Sequence, residues 1–209
     1  MAFRFEKASC VVVGTFNMYI LHQQWLAKHN IIEPDLEVGI ETNLTKPGFR
    51  FRFPQNDPIW SVTPNRLAVE SQDPQTDCGE IVAKVLAILP ETPLFVLGNN
   101  FHYRAAWSER ENLSPTIRNF PETDLPMLQW TYHAGIQRGE RVTANIQIAL
   151  KKDDSIELIF NIHNELGSTE NANEEAMSAA KRFFNDRDET MDLAQQFFGI
   201  SIDHAPDHT

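Results

Sequence analysis

The chain has 209 residues, 42% hydrophobic and 22% charged, with a formal net charge of −11. That length admits one large domain or two small ones with a sizeable core, and the composition is globular. The charge excludes general attraction to nucleic acid or an anionic membrane surface, and no apolar run approaches the roughly 20 residues that span a bilayer.

From the start of the chain, Phe3 to Phe16 reads as a strand centred on Val11-Val12-Val13. This opening stretch lacks the long apolar segment and cleavage site of a secretory signal, so none is expected. Asn17 is placed to cap a helix over 18–29, with Leu21 and Trp25 on one face. Leu36 to Thr42 reads as a second strand. Lys46-Pro47-Gly48 is a turn signal, and "FRFRF" over 49–53 alternates three phenylalanines against two arginines, the mark of a half-buried antiparallel strand. A further strand is predicted over 65–71, with Trp60 and Val62 starting it before Pro64. Cys78, Ile81, Val82, Val85, Leu86 and Leu89 then recur at helical spacing over 76–89, behind an acidic start that suits the helix dipole. Residues 93–104, within "LFVLGNNFHYRAAW", form the next strand, and Gly98 marks a bulge or a close backbone approach.

Residues 107–127 hold three prolines and read as a connection, long for a compact domain. Three strands follow, at 128–136, 141–151 and 155–166, with tight turns at "QRGE" and "KKDDS". A helical stripe runs from about Asn173 to Phe198, with a break expected at "NDRDE" and a stop at Gly199. The chain thus divides into a first α+β unit (1–106), the connecting segment (107–127), a second α+β unit (128–200) and a flexible tail (201–209), all compatible with one compact domain. Three antiparallel strands and a helix occur twice. The expected fold is α+β: antiparallel sheet built from two meander-plus-helix units, a pseudo-repeat in which one curved sheet grips two helices.

Trp60, "TPNRLAVES", an amphipathic helix and an apolar strand ending in "GNNFHYRA" together resemble a family of uncharacterised bacterial proteins. The resemblance implies a fold. It brings no activity, cofactor or catalytic residue.

The motifs of most enzyme classes are missing: no glycine-rich phosphate loop, no nucleophile elbow, no Cys-x-x-Cys and no His-Glu-x-x-His. Catalytic residues are therefore unknown and no cofactor is expected. Two cysteines, Cys10 and Cys78, are too few for a disulfide framework and fit a reducing cytoplasmic setting. Cys78 lies near a helix start, which would lower its pKa, but it also begins the apolar stripe and reads as a buried structural thiol.

His102, His133 and His163 fall on predicted strands. If they converged they would make a metal site, the alternative to no metal. Tyr103, Arg104 and Trp107, joined by His102, Arg50 and Arg52, make the candidate contact surface, because arginine and aromatics dominate interface hot spots. The leading expectation is an acidic interaction or assembly protein without catalytic activity, homo-oligomeric or bound to a protein partner through exposed strand edges. The alternative is a small-molecule- or metal-binding protein or enzyme, with a pocket between helix and sheet near Tyr103, Arg104, His102 and His163. A third reading, nucleic-acid binding, rests on a basic strip of Lys46, Arg50, Arg52 and Arg66 with Arg104, Arg110 and Arg118 later in the chain.

Overall fold

The computed structural model describes residues 2–42, 47–53, 57–106, 108, 129–151, 155–167 and 170–203. The chain opens with β1 (Ala2–Gly14), α1 (Gln23–Lys28) and a meander of β2 (Gly39–Thr42), β3 (Phe49–Arg52), β4 (Ile59–Thr63) and β5 (Arg66–Ser71). Helix α2 (Cys78–Ile88) and β6 (Leu94–Ala106) follow. A second meander of β7 (Gln129–Gln137), β8 (Val142–Lys151) and β9 (Ser155–Glu165) leads to α3 (Ala172–Lys181), α4 (Phe183–Phe198) and β10 (Ser201–Asp203).

All ten strands belong to one sheet, ordered β2-β3-β4-β5-β1-β6-β9-β8-β7, with β10 parallel to the start of β1. The fold is α+β with a single sheet. Each meander winds inward from an edge of that sheet, and its last strand pairs antiparallel with a 13-residue strand, β5 with β1 and β9 with β6. Because β1 and β6 also pair with each other, the two halves share one sheet.

Parity along β1 shows why the long strands hold. Phe3 and Phe5 face the core, but so do Ala8, Cys10 and Val12, which a regular period of two does not allow. The register shifts between Phe5 and Lys7, leaving Glu6 as the extra residue of a bulge and keeping both apolar sets on one face. On β6 the inward residues are Leu97, Asn99, Phe101 and Tyr103, and on β9 Leu158, Phe160 and Ile162, all buried. "FRFRF" behaves as its alternation requires: Phe51 and Phe53 are buried on the core face and Arg50 and Arg52 lie opposite.

Several local expectations shift. The first helix is shorter than 18–29: the His22 side chain, not Asn17, accepts from the first turn at Trp25 N, while Asn17 Oδ1 holds a turn at Tyr19 N, 3.2 Å away. Trp60 and Val62 do not begin the strand at 65–71. They belong to β4, and Pro64-Asn65 turns the chain so that Thr63 pairs with Arg66. The first meander therefore has four strands. Gly98 sits in regular register, with no bulge. The final helix breaks at Arg182, upstream of "NDRDE", so that Ala180 and Phe183 meet α2 while Asp186 reaches β6. Gly199 ends α4 at φ 65°, as a left-handed stop should. Residues 201–203, expected in a loose tail, form β10: Arg4 pairs with Arg104 on one side and Asp203 on the other. The connecting segment 107–127 lies outside the described residues except for Ser108, as do 204–209.

The helices cover the core face of β1 and β6. Asp77 caps α2 by accepting from Glu80 N at 2.8 Å. Helices α2 and α3 approach so closely that a Cβ on Gly79 would stand 2.0 Å from Ala180 O and 2.6 Å from Phe183 Cβ. One polar knot lies beneath them. Buried Asn99 donates through Nδ2 to Ala179 O at 3.1 Å, near the end of α3, and to Asp186 Oδ2 at 2.8 Å on α4. Arg182 donates to Asp186 Oδ1 at 3.1 Å. Burial raises the Asp186 pKa above the ordinary carboxyl value, and the Asn99 hydrogen bond and Arg182 oppose that rise.

Two outcomes follow for stability. Gly79→Ala gains about 1 kcal/mol in helix propensity, but the clash with α3 costs more, so net destabilisation of about 2 kcal/mol is expected in urea unfolding. Asn99→Leu removes the donor that supports the charged form of Asp186, at a cost of about 2–3 kcal/mol. The Asn99 hydrogen bond favours the charged form of Asp186, the form lost as pH falls through its raised folded pKa. The loss measured at pH 7 should therefore exceed the loss at pH 4, and equal losses would contradict this role for Asn99.

Candidate functional site

The residues singled out in the sequence do not form one surface. Tyr103 points into the core and is fully buried, its phenol pushed up to about 12 by desolvation, against the lowering effects of a Thr190 hydrogen bond and Arg187. It is a core residue, because β6 alternates from Asn99 onward and "FHYR" puts Phe101 and Tyr103 inside and His102 and Arg104 outside. Arg50 and Arg52 lie on β3, four strands from β6, or roughly 19 Å at the usual strand spacing. Trp107 lies outside the described residues.

The three histidines share the sheet face opposite the helices but do not converge. His102 and His133 fall in one cross-strand row, through Ile159 and Gln147, yet three strands apart, roughly 14 Å. His163 lies four residues along β9 from that row, roughly 13 Å away. No group of three His, Cys, Asp or Glu among the described residues is placed to hold a metal ion. Burial, then the Lys7 ammonium, hold His102 below the ordinary imidazole pKa, against Glu70 and Glu157.

That face instead carries a row the sequence reading missed. Ser9, Asn100, Asn161 and Asn145 stand side by side on β1, β6, β9 and β8. Asn145 Nδ2 donates to Asn161 Oδ1 at 3.2 Å, Asn161 Nδ2 to Asn100 Oδ1 at 2.7 Å, and Asn100 Nδ2 to Ser9 Oγ at 3.3 Å. Gly98 makes room for it: a Cβ there would sit 2.8 Å from Asn161 Nδ2. The close approach expected at Gly98 is therefore to a side-chain amide, not to backbone. Alternation in "GNNFH" was the available signal, since it sends Asn99 inward and Asn100 outward.

Arg50, Arg52 and Arg104, with Lys7, are engaged by acids. Glu41 reaches Arg52 Nε at 2.5 Å and Arg50 Nη1 at 3.8 Å. Arg104 meets Glu6 at 3.8 Å and Glu157 at 3.6 Å, and Lys7 meets Glu70 at 2.9 Å. Such half-exposed pairs add little stability, but they offset the positive potential that a basic strip would offer a phosphate backbone. Lys46, Arg110 and Arg118 lie outside the described residues.

The open end of the sheet is more distinctive. All four residues of β2 are exposed, and no further strand pairs with it among the described residues. Ile40 is 54% exposed although it stands opposite buried Phe51. Next to it, half-buried Phe49 pairs with Thr42 and meets Tyr19, 74% exposed, ring edge to ring face at 6.2 Å. The other end, β7, is better covered: Tyr132, Ala134 and Ile136 pack on the core, with the Tyr132 ring 6.0 Å from Phe198. The β2 edge thus combines unpaired backbone groups with an apolar fringe, the combination that templates strand addition.

Neither a protein-family model nor a curated protein matches this chain. The residues must speak for themselves.

They speak against a thiol nucleophile. Cys10 and Cys78 are buried and reduced. Burial raises both thiol pKa values, with Asp57 and Asp77 adding to Cys78 and the Cys78 charge adding to Cys10. Cys78 Sγ lies 3.9 Å from Ala8 O, a structural contact. Neither cysteine should react with a thiol reagent in the native protein at pH 8. Both should titrate once guanidinium unfolds it, and fast native labelling would reopen the case for thiol chemistry.

Proposed function

We propose that this chain is a non-catalytic interaction and assembly protein that pairs with a second copy of itself through the β2 edge. The observation that carries the reading is β2 itself: a wholly exposed end strand bearing Ile40 beside Phe49 and Tyr19. An antiparallel strand is self-complementary across a two-fold axis, so one edge supplies both sides of a closed dimer. Backbone pairing alone would be weak over four residues, and burial of the apolar fringe supplies the rest.

Two chains of −11 repel overall, but at this edge Glu41 between Arg50 and Arg52 keeps the local charge small, so the apolar fringe meets little repulsion there. The cytoplasm is the setting we assign, supported by two reduced buried thiols.

The expected behaviour is a dimer in sedimentation velocity at micromolar concentration. Ile40→Lys places a charge in the fringe and should shift the protein to monomer with unchanged circular dichroism. A wild-type monomer at high concentration, or a dimer untouched by Ile40→Lys, would overturn the reading.

A further inference from the structure

An open pocket of about 480 Å³ lies where the segment after α1 folds over the end of the first meander. The volume is that of a small-molecule site, and the lining is mostly apolar. Ile32, Leu36 and Ile81 line it with surface still open to water, and the almost wholly buried Phe53 and Trp60 complete the lining. The segment that forms the wall is pinned to α1 at two points. Ile31 N donates to Leu26 O at 2.9 Å, and Gln23 Nε2 donates to Leu36 O. The pocket is therefore preformed, and a ligand need not order the chain in order to bind.

The charge around the mouth decides what kind of molecule fits. Glu33 lines the pocket, and Asp57 places a further negative charge in the lining. A second recess, of about 750 Å³, shares Pro34, Leu36 and Phe53 with the first and is lined also by Asp35, Glu37 and Arg52. Arg52 is held by Glu41 at 2.5 Å, so it offsets little of this charge. Glu33, Asp35 and Glu37 are exposed, and no base pairs with any of them among the described residues.

These three carboxylates fall within five residues of chain, a span of at most about 14 Å. The Debye length is about 30 Å at 0.01 M salt, so at low salt all three act on a charge at the mouth without touching it. An anion is repelled there, and a neutral apolar molecule gains nothing from the field. A molecule with an apolar body and one cationic group uses both the walls and the charge.

We propose that this pocket binds a small amphiphilic cation, its apolar body between Ile32, Leu36 and Ile81 and its ammonium group at the mouth, in the field of Glu33, Asp35 and Glu37. The proposal stands apart from pairing at the β2 edge.

Three probes with one apolar body test this by isothermal titration calorimetry: 2-naphthylmethylammonium, 2-naphthylmethanol and 2-naphthoate. At about 10 mM salt the ammonium should bind roughly fivefold more tightly than the alcohol, and the alcohol more tightly than the carboxylate. The advantage of the ammonium should shrink at about 500 mM salt. Glu33→Gln, Asp35→Asn and Glu37→Gln together should remove that advantage and leave alcohol binding unchanged. Ile32→Trp takes up the volume the apolar body needs without changing the charge, and should weaken both the ammonium and the alcohol roughly tenfold. The triple variant alters only exposed side chains, so it keeps the test decisive if Ile32→Trp unfolds. Ammonium binding absent up to its solubility limit, or no tighter than that of the alcohol or the carboxylate, would overturn the proposal. So would an ammonium advantage that survives the triple variant, or binding unchanged in a folded Ile32→Trp.

Discussion

A ten-stranded sheet with one apolar face must cover that face, and here the covering helices succeed only because two of them nearly touch. Gly79 on α2 lies against Ala180 and Phe183, leaving no room for a methyl group. That approach lets α2 and α3 lie together over β1 and β6, the two long strands that join the halves. A side chain at Gly79 would push the helices apart and uncover Cys10, Val12, Leu97 and Phe101, which are all fully buried. Close packing in such a core turns one absent methyl group into a fold-wide constraint.

The same crowding accounts for the polar group under the helices. Where α3 ends, Ala179 O accepts from Arg182 N at 3.3 Å, and Asn99 from the sheet supplies a second donor. Its amide also reaches Asp186, so a single side chain ties the sheet to both halves of the broken helix. Arg182, at the break, completes the arrangement. The bend in the helix and the buried asparagine are two sides of one solution, since a straight helix would not present Ala180 to α2 and Asp186 to β6.

The two faces of the sheet divide the labour. The core face is saturated by helices. The opposite face carries the Ser9–Asn100–Asn161–Asn145 row and half-exposed ion pairs, chemistry that tolerates water. The first meander leaves an open edge at β2. Buried polar atoms without a hydrogen bond are spread through both halves: among the described residues they include Asp57 Oδ1, Trp60 Nε1, Asn99 Oδ1 and Arg138 Nη1.

Much of the architecture was legible in short-range pattern. Alternation in "FRFRF" and in 155–166 marked strands, the stripe from Cys78 to Leu89 marked α2, and Gly199 marked the end of α4. These signals are local because periods of two and 3.6 arise within a few residues of backbone. The contact surface was not legible. Tyr103, Arg104, Arg50 and His102 looked alike as polar or aromatic residues near strands, yet parity buries Tyr103 and register puts Arg50 four strands away. By itself, the sequence determined that this is an α+β chain of two meanders and amphipathic helices. Only tertiary structure decided which strand lies open at the edge, which asparagine is buried, and which polar atoms lack partners, because each of these depends on residues dozens of positions away that pairing and packing bring together.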